Sequence, residues 1–175
     1  MAKKFNEIGK TYLFSLERND TMIQSYLETI TVLTSNSSPI AFANDDIRSR
    51  KANCSCGGWL QHAEGSPIYK LLDGGLYEVS FNASVTSATE GTVAIGLFQD
   101  GVLIPGSTVI AEVATAGAYY NVSFDKLVKI CCRGDATLSI GSVPSVLTGA
   151  ALPGTPTVTE IPVIQNANLS ITKIC

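Results

Sequence analysis

The sequence predicts an all-β domain, and three observations carry that prediction. Residues Gly74 to Thr86 alternate strictly: Tyr77, Val79, Phe81, Ala83 and Val85 on one side, Glu78, Ser80, Asn82 and Ser84 on the other. Alternation of that length marks a strand with one buried face. Asp100-Gly101 sits between two apolar runs and is a strong short-range hairpin signal. From there to the C-terminus, short β-branched or alternating runs recur between turn residues, as in a sandwich or barrel.

Taken in order, residues 1–36 read as an N-terminal arm, extended or partly helical. Thr21 with Gln24 resembles a capping box, and Met22, Ile23, Tyr26, Leu27, Ile30 and Leu33 fall near helical spacing. The run Thr29 to Thr34 is rich in β-branched residues and suits a strand equally. The arm is either a flap folded on its own domain or an anchor for something else. As an anchor, its apolar residues Phe5, Ile8, Tyr12, Leu16, Met22, Ile23, Tyr26 and Leu27 are the candidate contacts. Residues 37–53 read as a linker and exposed loop, opened by Ser37-Ser38-Pro39 and carrying Asp45, Asp46, Arg48, Arg50 and Lys51.

The domain proper is expected over residues 54–175. A short strand at Ser66–Leu72 leads into the strand after Gly75, where glycine tolerates a tight entering turn. Further strands are expected at 92–99, 102–104, 107–113, 118–130, 136–142 and 167–174, with reversals at Asp100-Gly101 and Pro105-Gly106. A long loop with Pro144, Pro153, Pro156 and Pro162 precedes the last strand.

Charge is sparse and uneven. Charged residues are 15% of the chain and the net charge is −3, so no broad basic surface for nucleic acid is expected. Residues 74–175 hold only 4 basic and 7 acidic residues, and a domain so poor in charge is expected to hide surface against partners. Neither a signal peptide nor a membrane-spanning run is visible, so synthesis in a cytosol and no membrane insertion are expected.

The phrase Leu71-Leu72-Asp73-Gly74-Gly75-Leu76-Tyr77-Glu78-Val79-Ser80-Phe81, the Asp100-Gly101 hairpin and the closing run Asn168–Ile174 resemble C1q/TNF-like jelly rolls. In texture the chain is similar to the C-terminal domains of collagen-like spore-surface glycoproteins and of phage head-fibre, decoration or fibre-tip proteins. The resemblance covers roughly residues 54–175. It lacks the Gly-X-Y tract of the spore proteins and the signal or membrane segment of secreted cytokines. The resemblance implies a homotrimer in which one apolar sheet of each protomer lines a threefold axis. It further implies a non-enzymatic virion component assembled in a host cytoplasm: a bacteriophage capsid decoration or head-fibre protein held to a major capsid or other virion protein by its arm. The alternatives are the host-surface tip of a phage fibre, binding a glycan or receptor, and a bacterial spore or cell-surface component.

Strict strand alternation would gather Cys54, Cys56, Cys131, Cys132 and Cys175 at one end of such a domain, near the arm. Buried free thiols, disulfides and a metal site are the three readings. The Cys-x-Cys and Cys-Cys spacing departs from usual metal-ligand spacing, so no metal or cofactor is expected. The same alternation would put the Asp100-Gly101 hairpin and the loop containing Ser145, Leu147 and Leu152 at the distal end, where a host surface would be met. Arg133-Gly134-Asp135 reads as a turn. Catalysis is not expected: His62 is the only histidine, and no G-x-S-x-G, P-loop or H-E-x-x-H run occurs. Three Asn-x-Ser triplets, at Asn82, Asn121 and Asn168, read as ordinary polar strand positions.

Overall fold

The computed structural model describes residues 22–35, 38–48, 58–131, 135–144 and 158–174, and among these there is no helix. The strands, in chain order, are β1 (Met22–Leu27), β2 (Thr31–Val32), β3 (Asn44–Arg48), β4 (Leu60–Gln61), β5 (Tyr69–Leu71), β6 (Gly75–Thr86), β7 (Gly91–Gln99), β8 (Val102–Leu103), β9 (Val109–Val113), β10 (Tyr120–Ile130), β11 (Ala136–Ser142) and β12 (Val163–Lys173). They form two antiparallel sheets. The first runs β10-β6-β12-β1-β3, with β2 also on β12; the second runs β4-β5-β11-β7-β8, with β9 also on β7.

The alternation read from β6 holds. Tyr77, Val79, Phe81, Ala83 and Val85 are buried and meet the inward residues of β10 and β12, Phe124 and Leu169 among them. From the second sheet Tyr69, Leu71, Ile95, Leu97, Leu138 and Ile140 complete one continuous core. The apolar side of the first sheet is thus covered within the chain by the second sheet.

The segment 22–27 is a strand, not a helix. Met22, Ile23, Tyr26 and Leu27 suit either period, but the observed burial is strictly alternate: Ile23, Ser25 and Leu27 inward, Met22, Gln24 and Tyr26 outward. β1 lies between β12 and β3, so it gains ladder hydrogen bonds on both edges, which outweigh any local helical preference. The sandwich therefore includes residues 22–35 and 38–48, which the sequence had placed in an arm and a linker. Of the arm, residues 1–21 remain, outside the described residues.

The direction of the chain also differs from simple alternation at two places. Residues 59–72 already contain a reversal, because β4 pairs antiparallel with β5. Pro105-Gly106 makes no reversal, since β8 and β9 both run antiparallel to β7. The two differences compensate from β9 on, so β10 and β12 end where expected, but they invert β6, β7 and β8. The Asp100-Gly101 hairpin therefore lies at the end of the sandwich where β10 and β12 finish and β1 begins. Here Gln99 faces Leu138, Ile130 faces Gly75, Lys173 faces Tyr77 and Met22 faces Thr172. We call this the base; the loops 87–90 and 114–119 occupy the distal end. The hairpin is the mirror-image turn that Asp-Gly favours, with φ of +51° at Asp100 and +78° at Gly101.

Candidate functional site

The residues with a choice of partner lie on the outward face of the first sheet. Period-2 geometry lines them up in rows across the strands. Nearest the distal end, Asn121, Ser84 and Asn166 stand side by side; next come Ser123, Asn82, Asn168, Tyr26 and Asn44. A third row holds Asp125, Ser80, Ser170 and Gln24, and a fourth Leu127, Glu78, Thr172 and Met22. At the base, Lys129 faces Leu76, and the Ile174 amide donates to the Leu76 carbonyl.

This face has two characters. The two distal rows carry no charge and consist of amides, hydroxyls and one tyrosine. Ser84 Oγ donates to Asn121 Oδ1 at 2.8 Å, and Asn168 Nδ2 donates to Asn82 Oδ1 at 3.3 Å. The basal part is apolar by comparison. Leu127 is 56% and Ile174 50% exposed, with half-buried Leu76 and Met22 beside them. The expectation of an apolar sheet turned outward is corrected accordingly. The core side of this sheet is sealed by the second sheet, and outward apolar surface is confined to the basal part.

The anchoring candidates divide in the same way. Ile23 and Leu27 are core residues and hold nothing outside the chain; Met22 and Tyr26 are half-buried members of the outward face. Phe5, Ile8, Tyr12 and Leu16 lie outside the described residues. Asp100 and Gly101 are at the base, not the distal end. The Asp100 carboxylate accepts from the Thr137 amide at 2.8 Å and its hydroxyl at 3.0 Å, which ties the hairpin to β11.

Ser145, Leu147 and Leu152 lie outside the described residues, but both ends of their loop are placed. The Val143 amide donates to the Ala94 carbonyl, and the Thr159 amide donates to the Thr92 carbonyl. The loop therefore leaves and rejoins β7 two residues apart, on the side where Val143 and Val158 pack on Ala94 and Phe98.

Cys131 is exposed and free, directly after β10. Cys54, Cys56, Cys132 and Cys175 lie outside the described residues. Asp135 pairs with Lys70 at 2.7 Å, a partly exposed bridge that joins β5 to the start of β11.

His62 has unexpected company. Its ring stacks on Tyr69, with centroids 3.9 Å apart, and its Nδ1 donates to the Ile68 carbonyl at 3.0 Å. Its Nε2 lies 3.5 Å from Asp45 Oδ1, which also accepts from Ser25 Oγ at 2.6 Å. Serine, aspartate and histidine do meet here, but in the wrong order for nucleophilic catalysis. The serine is bonded to the carboxylate rather than to the imidazole, and Ser25 and His62 are buried. The cluster instead ties β1 and β3 of the first sheet to β5 of the second. Burial raises the Tyr69 hydroxyl well above the usual phenol range, with the Ser25 hydrogen bond opposing and Asp45 adding to the rise.

The sequence reading missed Ser25, took Asp45 for a charge on an exposed loop, and passed over the polar side of the first sheet. The Asn-x-Ser triplets were the available signal. In a strand, Asn and Ser two residues apart share a face, and all three triplets lie on adjacent strands.

The comparisons fit this architecture. No family model matches the chain, and no curated protein matches it. Among solved structures, the globular domain of the zebrafish complement 1qA protein superposes with a TM-score of 0.54 at 12% identity, covering 89% of this chain and 98% of that one. The Eiger TNF from S. frugiperda gives a TM-score of 0.52 at 10% identity, covering 89% and 94%. The fold is a C1q/TNF-like jelly roll. At these identities the likeness concerns the fold alone.

Proposed function

We propose that this jelly roll is a non-enzymatic structural and interaction module. It assembles as a homotrimer through the outward face of the first sheet, and residues 1–21 hold it to a larger particle. The particle is a virion, as the sequence resemblance implies, with the chain serving as a capsid decoration or head-fibre component.

The observation that carries this reading is the basal part of the outward face. Leu127 and Ile174 are half exposed beside Leu76 and Met22, on a flat surface whose other positions are mostly small and neutral. Small amides and hydroxyls cost less to desolvate than the lysines and glutamates a solvated sheet normally presents. On β10, β6, β12 and β1 the charged side chains of this face, among the described residues, are Glu78, Asp125 and Lys129. The rest of the module has the character of a scaffold: a main core between the sheets and a small cluster on the far side of β7, with its only histidine consumed in a buried tie.

Polarity supports the attachment. The chain enters the sandwich at Met22, at the base, so a particle held by residues 1–21 would have the distal end facing away from it. Multi-angle light scattering of the full chain is expected to give three times the 18.5 kDa of one chain. A monomer at every concentration tested would overturn the assembly, and unimpaired particle binding after deletion of residues 1–21 would overturn the attachment.

A further inference from the structure

We infer that the buried cluster of Ser25, Asp45, His62 and Tyr69 is a proton-dependent latch. It keeps one proton between Asp45 and the His62 ring, and the hold of edge strand β3 on the second sheet loosens when that proton is lost. The latch is independent of the proposed assembly, because its side chains lie between the sheets and not on the outward face.

The proton count follows from which groups can donate. A carbonyl only accepts, so the His62 Nδ1, 3.0 Å from the Ile68 carbonyl, carries a proton. A ring protonated there alone presents a lone pair at Nε2. That nitrogen lies 3.5 Å from Asp45 Oδ1, and an ionised carboxylate also only accepts. Two acceptors would then face each other with their side chains 0% and 4% exposed, where water does little to part them. One proton between them, on the ring or on the carboxyl group, turns that repulsion into attraction. The Ser25 hydroxyl cannot supply it, since it donates its single proton to Asp45 Oδ1 at 2.6 Å. The proton therefore belongs to the pair rather than to either residue.

Among the described residues, the titratable groups that face the ring are Asp45 from β3 and Tyr69 from β5, while β1 contributes the neutral Ser25. Burial raises the Tyr69 hydroxyl well above the usual phenol range, so it stays neutral while the pair titrates. Asp46 and Glu64 are exposed, and Lys70, on the other side of β5 from Tyr69, pairs with Asp135.

An unfolded chain has an aspartate that titrates at about pH 3.9 and a histidine at about pH 6.5. Between those values it carries the same single proton, so the latch contributes its full stability there. Above about pH 6.5 the folded pair holds one proton more than the unfolded chain, and stability falls as the pH rises, by up to about tenfold in the unfolding constant per pH unit. β3 is where the loss is felt. It ends the order of the first sheet, and its ladder to β1 shifts register between Gln24 and Ser25, beside the latch. Neutral and mildly acidic media keep this edge closed, and alkaline media loosen it.

The test is urea unfolding of the full chain from pH 5 to 9, at one protein concentration, beside Asp45→Asn and His62→Gln. The asparagine still accepts from Ser25 and offers an N–H to a neutral ring, so it makes the contact without the extra proton. Between about pH 6.5 and 8.5 the unfolding constant of the parent chain is expected to rise at least about tenfold relative to either variant. Hydrogen exchange on the parent chain needs no variant: with the intrinsic base-catalysed rate divided out, protection of the β3 amides is expected to fall at least about tenfold over the same range. The inference is overturned if the parent and a folded variant share one pH slope, or if β3 protection stays level. Light scattering on the same samples reports self-association separately.

Discussion

Leu127→Arg tests the assembly most directly. Leu127 sits on the edge strand β10 and is 56% exposed, so the change costs the isolated sandwich little, and slightly over half of the side chain remains to be covered by another copy. Full burial of a leucine is worth about 1.5–3 kcal/mol, so covering that remainder contributes about 1–1.5 kcal/mol per copy. A closed trimer loses it three times, or about 3–5 kcal/mol, before any cost of an unpaired guanidinium in the contact. At 1.4 kcal/mol per factor of ten, the trimer's association constant is expected to fall at least about a hundredfold. Light scattering across a dilution series would show the midpoint of dissociation moving to higher concentration, while the melting temperature of the dissociated chain stays within a few degrees. A variant that remains trimeric at the same concentrations would refute the reasoning, because the basal patch would then not be where copies meet.

Ile23→Ala is expected to destabilise the sandwich by about 2–5 kcal/mol in urea unfolding, since Ile23 is a fully buried core residue, whereas deletion of residues 1–21 should leave the urea midpoint in place. Asp45→Ala removes the acceptor of Ser25 Oγ and the carboxylate facing His62, and should cost about 1–3 kcal/mol in the same assay. Burial, with a smaller contribution from Asp73, pushes the Tyr77 hydroxyl up from 10.0 to about 12. The unfolded chain therefore releases this proton first. The stability associated with it is complete below pH 10 and is lost as the pH rises toward 12. Tyr77→Phe, which also removes the 2.6 Å bond to the Asp73 carbonyl, should flatten that alkaline slope in urea midpoints measured against pH. Cys131 should react with a thiol reagent in the folded protein, and Cys131→Ser should leave the melting temperature unchanged.

What the sequence showed depended on whether a residue's period or its neighbour decided the outcome. β6, β10 and β12 were legible because ten or so alternating residues leave only one arrangement that buries a face. The Asp100-Gly101 turn was legible because two consecutive positive φ angles favour that dipeptide. β3 was not, since Asn-Asp-Asp-Ile-Arg has poor strand propensity and is held by β1 through pairs such as Ser25 and Asp45. Met22–Leu27 was ambiguous because its apolar residues satisfy both periods; only the ladders on either side choose between them. Chain direction was lost at Pro105-Gly106, where a turn signal marks a break in one strand line rather than a reversal. The outward face was hidden for a different reason. Alternation shows that a strand has two sides, not which partner covers each. The apolar side of β6 was read as the side offered to other copies, and it proved to be the side sealed by the chain's own second sheet. That leaves Asn82, Ser84, Asn121 and Asn168, first read as filler, as the residues still free to meet something else.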